Sequence, residues 1–79
     1  MIERGGIVDL LVRDGESLVL TERQCLRLTE VPTTILEFLV RPRTRAELEG
    51  HVASKFGPPP DGRLGELLHE MASQGLVKF

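Results

Sequence analysis

The side chains that could carry out chemistry in this chain are one cysteine and two histidines. Cys25 is the only thiol, and His51 and His69 are the only imidazoles among 79 residues. A cysteine nucleophile needs a histidine base, a third group that orients the base, and a cleft for the substrate. A chain this short rarely builds a deep cleft, so we interpret Cys25 as an ordinary strand residue and the histidines as exposed. The chain is therefore predicted to be non-catalytic.

Metal and phosphate sites are not indicated either. The sequence contains no CxxC, HExxH or HxH spacing, and the Gly-Gly pair at 5–6 is not followed by a strand-loop-helix pattern. Glu66 and Glu70 lie one helical turn apart, which is typical of a solvated helix face. We expect no metal and no cofactor.

The only basic cluster is the stretch "RPRTR", with Arg41, Arg43 and Arg45. It lies between two predicted helices and is interpreted as a solvated loop or as a docking patch for an acidic partner. The whole chain has 12 acidic and 10 basic residues, a net charge of −2, and gives no global attraction to nucleic acid.

Length and composition predict one globular domain spanning residues 1–79. The hydrophobic fraction of 41% is typical of a folded protein, although a core of this size is marginal. A single cysteine cannot form an internal disulfide, and no apolar run is long enough to span a membrane. These features favour a soluble cytoplasmic protein.

Three short segments with alternating apolar residues predict an antiparallel meander. They are 7–13, 18–21 and 25–29. Asp14-Gly15 separates the first two segments and is a strong hairpin signal, because glycine adopts positive φ without strain. The strands are expected to follow one another in space in chain order.

Three helices are predicted after the meander, each with a start signal of its own. Thr29 and Asp61 are candidate caps of the first and third helices, and Thr44 with Glu47 matches a capping box before the second. Pro42 ends the first helix, and Gly75 ends the third, after which 76–79 can be a short extended piece. The fold class is therefore predicted to be α+β, with a three-stranded meander followed by three helices.

If the meander runs in order, the strand 25–29 lies at an edge of the sheet. An edge strand carries unpaired backbone N–H and C=O groups that a second chain can complete. On the third helix Leu64, Leu68 and Met71 can face the core, whereas Leu67 is rotated away from them. An extended peptide could then add to the edge and pack on Leu67. The alternative is that all four apolar residues are simply core.

Residues 18–77 resemble the PqqD-like proteins, also called RiPP recognition elements. The resemblance rests on the order and spacing of short features rather than on a single motif. These features are Leu28-Thr29, Ile35-Leu36, Pro42-Arg43-Thr44, Glu47-Leu48, Asp61, Leu68 and Gly75-Leu76-Val77. Members of the family are winged helix-turn-helix domains, so the resemblance implies that fold here.

The resemblance also implies a function. Proteins of this family bind the leader segment of a ribosomally synthesised precursor peptide and present it to modifying enzymes. Many free-standing members act in lasso peptide biosynthesis beside a leader peptidase and a cyclase, and the short termini favour that type. Carried over by position, the peptide-binding residues are Cys25, Leu26, Arg27, Leu28, Thr29, Arg63, Leu64, Leu67, Leu68 and Met71.

The chain departs from the family pattern in three places. Thr29 stands where asparagine is commoner, three prolines precede the third helix, and the first 17 residues match only as a generic hairpin. These differences leave the leader peptide and the pathway open.

Two other functions remain open from the sequence. One is a winged-helix DNA-binding regulator, although 62–68 has one arginine and one glutamate where a recognition helix would carry basic and amide side chains. The other is a structural module that dimerises through the same edge strand. The partners expected are a precursor leader peptide and a leader peptidase or other modifying enzyme, with no nucleic acid and no membrane. The chain itself is expected to be a monomer or an edge-strand dimer.

Overall fold

The computed structural model describes residues 1–79 as five strands and three helices. The strands are β1 (Glu3–Arg4), β2 (Ile7–Arg13), β3 (Glu16–Thr21), β4 (Cys25–Leu28) and β5 (Val77–Lys78). The helices are α1 (Glu30–Phe38), α2 (Arg45–Phe56) and α3 (Arg63–Ser73). No helix has both the length and the apolar character needed to cross a membrane.

The main sheet has three antiparallel strands in the order β2-β3-β4. Asp14 and Gly15 connect β2 to β3 with φ values of 54° and 80°. Two consecutive positive φ values match the tight turns whose twist suits a β-hairpin. The predicted α+β class, with a three-stranded antiparallel sheet and three helices, is confirmed.

A bulge in β2 changes which of its side chains face the core. Ile7 pairs with Thr21 and Asp9 pairs with Leu20, so the extra residue Val8 has no partner in the ladder. Ile7 and Leu10 consequently both pack against the core, although simple alternation places them on opposite faces. Val8 instead points to solvent and is 61% exposed.

A second, two-stranded sheet was not predicted, so the strand arrangement differs from a simple three-stranded meander. β1 pairs antiparallel with β5 through Glu3–Lys78 and Arg4–Val77. The Gly5 N–H also donates to the Leu76 carbonyl oxygen at 2.8 Å. Strands of two residues are too short to show alternation, and these two come from opposite ends of the chain. The extended piece predicted at 76–79 contains β5, but no local pattern could reveal its pairing with β1.

The helix starts agree with the sequence to different degrees. At α2 the Thr44 hydroxyl accepts from the Glu47 N–H, and the Glu47 carboxylate accepts from the Thr44 N–H, as predicted. Thr29 is the N-cap of α1, but its side chain makes no capping hydrogen bond. The predicted cap Asp61 is wrong: Gly62, with φ of 78°, holds the N-cap position of α3.

The end of α3 matches its prediction. Gly75 adopts a φ of 78°, and its N–H donates to the Ala72 carbonyl oxygen. The next N–H, that of Leu76, donates to the Met71 carbonyl oxygen at 2.9 Å. This pair of bonds is a Schellman motif. It turns the chain so that the fully buried Leu76 and then β5 can follow.

The core draws on both sheets and all three helices. Its buried apolar members are Ile2, Val19, Leu28, Ile35, Leu36, Leu39, Leu48, Val52, Leu64, Leu68, Met71, Leu76 and Val77. One polar pair lies among them: the hydroxyls of Ser17 on β3 and Thr33 on α1 are hydrogen-bonded at 2.8 Å. No buried side-chain polar atom lacks a partner.

Candidate peptide-binding groove

β4 lies at the open edge of the main sheet. It pairs with β3 along one side only, through residue pairs from Leu20–Cys25 to Ser17–Leu28. Side-chain alternation puts Leu26 and Leu28 toward the core, and Cys25 and Arg27 are exposed. The backbone groups on one side of the strand are therefore hydrogen-bonded to β3, and those on the other side are free.

The pairing register identifies which backbone groups point outward. The Thr21 N–H donates to the Gln24 carbonyl oxygen at 2.9 Å and closes the β3–β4 turn. Hydrogen-bonded pairs alternate along an antiparallel ladder, so the next such pairs are Val19–Leu26 and Ser17–Leu28. The N–H and C=O groups of Cys25 and Arg27 consequently face away from β3, toward the open edge.

Two cavities join the ends of α3 to the two ends of β4, which implies that the helix runs beside this edge in the direction opposite to the strand. Its first two turns share a cavity of about 550 Å³ with Thr29, which follows β4. Its last turn and the residues after it, 72–75, share another cavity of about 410 Å³ with the turn 21–24, which precedes β4. We call these two cavities, together with the open edge of β4 that lies between them in the chain, the edge groove.

Apolar side chains from three helices line the larger cavity of the edge groove. Leu67 contributes from α3, Phe56 from the last turn of α2, and Val31 and Pro32 from the start of α1. The prolines at 58–60 form the remaining wall. Phe56 is 41% exposed and so offers apolar surface to a ligand. An apolar side chain of a bound peptide could therefore be buried here.

The structure separates the predicted site residues into two groups. Cys25, Arg27, Thr29 and Arg63 are exposed, and Leu26 and Leu67 are half-buried. Four other predicted contacts are buried in the core and offer almost no surface to a ligand. They are Leu28, Leu64, Leu68 and Met71, which are 8%, 5%, 1% and 2% exposed. Leu67 differs from Leu64 and Leu68 because it lies at the border of the buried side of the helix, where it is half-buried and packs partly against the core.

Several groove residues were not among those predicted from the sequence. In the larger cavity they are Val31, Pro32, Val52, Phe56, Gly57, the prolines at 58–60, Glu66 and Glu70. One signal was available in the sequence: Phe56 is one of only three phenylalanines and stands directly before the stiff "GPPP" stretch. The contribution of α1 could not be found in this way, because it depends on how that helix packs.

The arginine cluster is largely engaged within the protein. The Arg43 guanidinium lies 4.1 Å from the centroid of the Phe38 ring, donates to the Phe38 carbonyl oxygen at 3.2 Å, and approaches Glu47. Arg45 forms an ion pair with Glu49. Arg43 thus stabilises the connection between α1 and α2, whereas Arg45 pairs within α2, and both guanidinium groups already have a carboxylate partner.

The potentially reactive side chains do not gather at one place. Cys25 is exposed on the sheet edge, His51 stacks on Phe38 with 4.0 Å between ring centroids, and His69 meets Phe79 edge-on. No three His, Cys, Asp or Glu side chains are grouped so that they could hold a metal ion. The edge groove offers backbone pairing, apolar burial and surface charge.

One carboxylate has a shifted pKa, and it lies outside the edge groove. The hydrogen bond from the Thr44 backbone N–H, with smaller contributions from the Thr44 hydroxyl, Arg43 and Arg41, lowers the pKa of Glu47. The cause is the capping box of α2, so the shift is structural in origin.

Comparison of the chain with protein-family models, with curated proteins and with solved structures found no match.

Proposed function

We propose that this protein is a non-catalytic adaptor that binds the leader segment of a ribosomally synthesised precursor peptide. The leader adds as a strand to β4 and is delivered to modifying enzymes, of which a leader peptidase and cyclase of lasso peptide biosynthesis are the first candidates. The observation that carries the proposal is the open edge of β4 beside a groove lined by Leu67 and Phe56.

Strand addition explains how so small a domain could hold a flexible peptide. Main-chain hydrogen bonds to Cys25 and Arg27 would provide sequence-independent affinity, and side chains entering the edge groove would fix the register. Ordering a disordered peptide costs about 2–5 kcal/mol, so backbone pairing alone is insufficient. At least one apolar anchor in the cavity of Leu67 and Phe56 is required.

We further propose that the domain is a winged helix-turn-helix, with the β2–β3 hairpin as the wing and α2 and α3 as the helix pair. The same fold would serve a DNA-binding regulator. The exposed part of α3 that would face a duplex includes Glu66 and Glu70 and a single arginine, Arg63. Two carboxylates there would repel phosphates, which favours peptide binding over DNA binding.

The exposed thiol of Cys25 suits a reducing compartment, and we place the protein in the cytoplasm.

A monomer with a free β4 edge is the form that can accept a peptide. If two copies paired through β4, the dimer and the peptide would compete for the same edge, and light scattering with and without peptide would show that competition.

The decisive experiment compares two substitutions of Arg27. Arg27→Pro removes one outward N–H, and proline is tolerated on the free side of an edge strand. Arg27→Ala removes the same side chain and its ion pair with Glu16 but keeps the N–H. The probe is the N-terminal segment of a ribosomally synthesised precursor peptide, titrated by calorimetry into each protein.

We expect Arg27→Pro to weaken binding by about tenfold or more, and Arg27→Ala to bind nearly as the native protein does. Amide resonances of Cys25 and Arg27 should shift in the native protein on titration. Leu67→Glu should also abolish binding, with His69→Glu on the exposed side of α3 as its control. Equal binding by the two Arg27 variants, or unmoved Cys25 and Arg27 amides, would contradict strand addition.

A further inference from the structure

The side of α3 that faces the edge groove carries one arginine, two glutamates and one leucine. At about 100° per residue, Arg63, Glu66, Leu67 and Glu70 fall within an arc of about 100° on one side of the helix. All four line the larger groove cavity. The buried residues Leu64, Leu68 and Met71 lie on the adjoining side, toward the core.

The two carboxylates of this surface have no cationic partner within the protein. The four ion pairs of the structure are Arg27–Glu16, Arg43–Glu47, Arg45–Glu49 and Lys78–Glu3. Glu66 and Glu70 are exposed and take part in none of them. Arg63, which lines the same cavity, takes part in none of them either. The groove therefore has an apolar cavity flanked by two carboxylates and one guanidinium that are available to a ligand, and the negative charges outnumber the positive one.

The spacing of the carboxylates matches the spacing of side chains on an added strand. Residues four apart on a helix are separated by about 6 Å along its axis. On a strand, side chains two positions apart point to the same side and are separated by about 6.6 Å. A strand lying along β4 could thus place two side chains, at alternate positions, beside Glu66 and Glu70.

We propose that the edge groove selects cationic peptides, in which a basic–x–basic pair accompanies an apolar anchor. This inference rests on the proposed peptide-binding function and specifies the ligand of that site. The lysine or arginine pair lies beside Glu66 and Glu70, and the anchor enters the cavity of Leu67 and Phe56. Each contact is solvent-exposed, so it changes affinity by about two- to fivefold.

The test is selection from a random peptide library displayed on phage. Three proteins are used: the native chain, the double variant Glu66→Lys/Glu70→Lys, and the control Glu37→Lys/Glu49→Lys. The control changes the net charge by the same amount at exposed positions outside the larger groove cavity. Enriched peptides are then synthesised, and their affinities and their effects on the Cys25 and Arg27 amides are measured.

We expect the native chain and the control to enrich lysine and arginine at alternate positions next to an apolar residue. The groove variant should enrich aspartate and glutamate there instead, and should bind peptides selected on the native chain several-fold more weakly. The same charge composition from all three proteins would overturn the inference. If those peptides still shift the Cys25 and Arg27 amides, the proposed function stands without it.

Two other outcomes would contradict the proposed function. Charge-dependent binders that leave the Cys25 and Arg27 amides unmoved would support the cationic preference but contradict strand addition to β4. The absence of enriched peptides from every protein would overturn both the inference and the function on which it rests.

Discussion

At the scale of single residues, the two threonines that begin α1 and α2 differ although both occupy the N-cap position. Thr44 accepts from the Glu47 N–H at 3.1 Å and so satisfies one of the free donors at the helix start. Thr29 has extended backbone angles but no side-chain capping bond. The same residue type therefore contributes differently at the two positions.

Replacing each threonine by alanine should reveal this difference. Thr44→Ala is expected to lower the free energy of unfolding by about 1 kcal/mol, because the Glu47 N–H loses its partner. Thr29→Ala should change the free energy by less than about 0.5 kcal/mol, because no bond is lost. Urea unfolding followed by circular dichroism measures both, and equal losses would contradict the assignment of the capping bond.

Other residue-scale interpretations depended on contacts that the sequence could not show. Cys25 lies on a strand as predicted, and the structure adds that it is exposed. His51, expected to be an exposed helix residue, is half-buried and stacks on Phe38. That ring pair joins residues 13 positions apart on two helices, and only the packing of α1 against α2 brings them together.

At the scale of elements, the C-terminal end of α1 is stabilised by one arginine that is distant in the chain and one that follows the helix. The Arg4 side chain donates from β1 to the Leu36 carbonyl oxygen at 2.8 Å, and Arg43 donates to that of Phe38. Both oxygens belong to the last turn of α1, where free carbonyls favour cations. α1 contains no basic residue in that turn. Its C-terminal end therefore depends on the surrounding structure.

The capping box of α2 should give a pH dependence that can be assigned to one residue. Its hydrogen bonds lower the pKa of Glu47 below the ordinary value of 4.5. A carboxylate with a lowered pKa in the folded state stabilises the fold above its unfolded pKa. That contribution is lost as the pH falls from about 4.5 through the folded pKa. The native protein should therefore lose a small part of its stability in this range.

Glu47→Gln removes the titration while keeping a side chain that can accept the Thr44 N–H. The difference in unfolding free energy between the native and Glu47→Gln proteins should be constant above pH 5.5 or so and shrink below about 4.5. Urea titrations at a series of pH values measure it, with Glu37→Gln as an exposed control. A difference that does not change with pH would show that the capping box does not shift Glu47.

At the scale of the whole molecule, the two ends of the chain close the fold together. β1 pairs with β5, and Ile2 exchanges two backbone hydrogen bonds with Arg43, between α1 and α2. Ile2 is itself a core residue, 5% exposed. The first residues of the chain are thus bound both to its last strand and to its middle.

Gly5 is the point at which this closure is tightest. A Cβ added at Gly5 would overlap the Gly75 carbonyl oxygen, whereas one added at the neighbouring Gly6 would have no atom within 4 Å. Gly5→Ala should therefore lower the free energy of unfolding by about 1–3 kcal/mol. Each 1 kcal/mol corresponds to about 4–8 °C in Tm for a domain of this size.

Gly6→Ala is the matched control and should leave Tm nearly unchanged or raise it slightly, because the unfolded chain loses freedom. Differential scanning calorimetry of the two variants makes the comparison. Similar melting temperatures for both would contradict the close packing of Gly5 against Gly75.

Most of the fold and part of the candidate groove could be predicted from the sequence. The meander, the three helices and the edge position of β4 followed from alternation, turn residues and capping signals. In the groove, Leu67 was singled out because it is rotated from Leu64, Leu68 and Met71. Those three were nevertheless also assigned to the peptide site through the family resemblance, and the structure buries them.

The sequence by itself determined the features whose hydrogen bonds close within a few residues. The Asp14-Gly15 turn, the Thr44–Glu47 capping box and the Gly75 helix end are of this kind, because each is satisfied by its own neighbours. Only the tertiary structure decided the pairing of β1 with β5 and the Phe56 wall of the groove. Their partners are distant in the chain, and their positions depend on how all the elements share one small core.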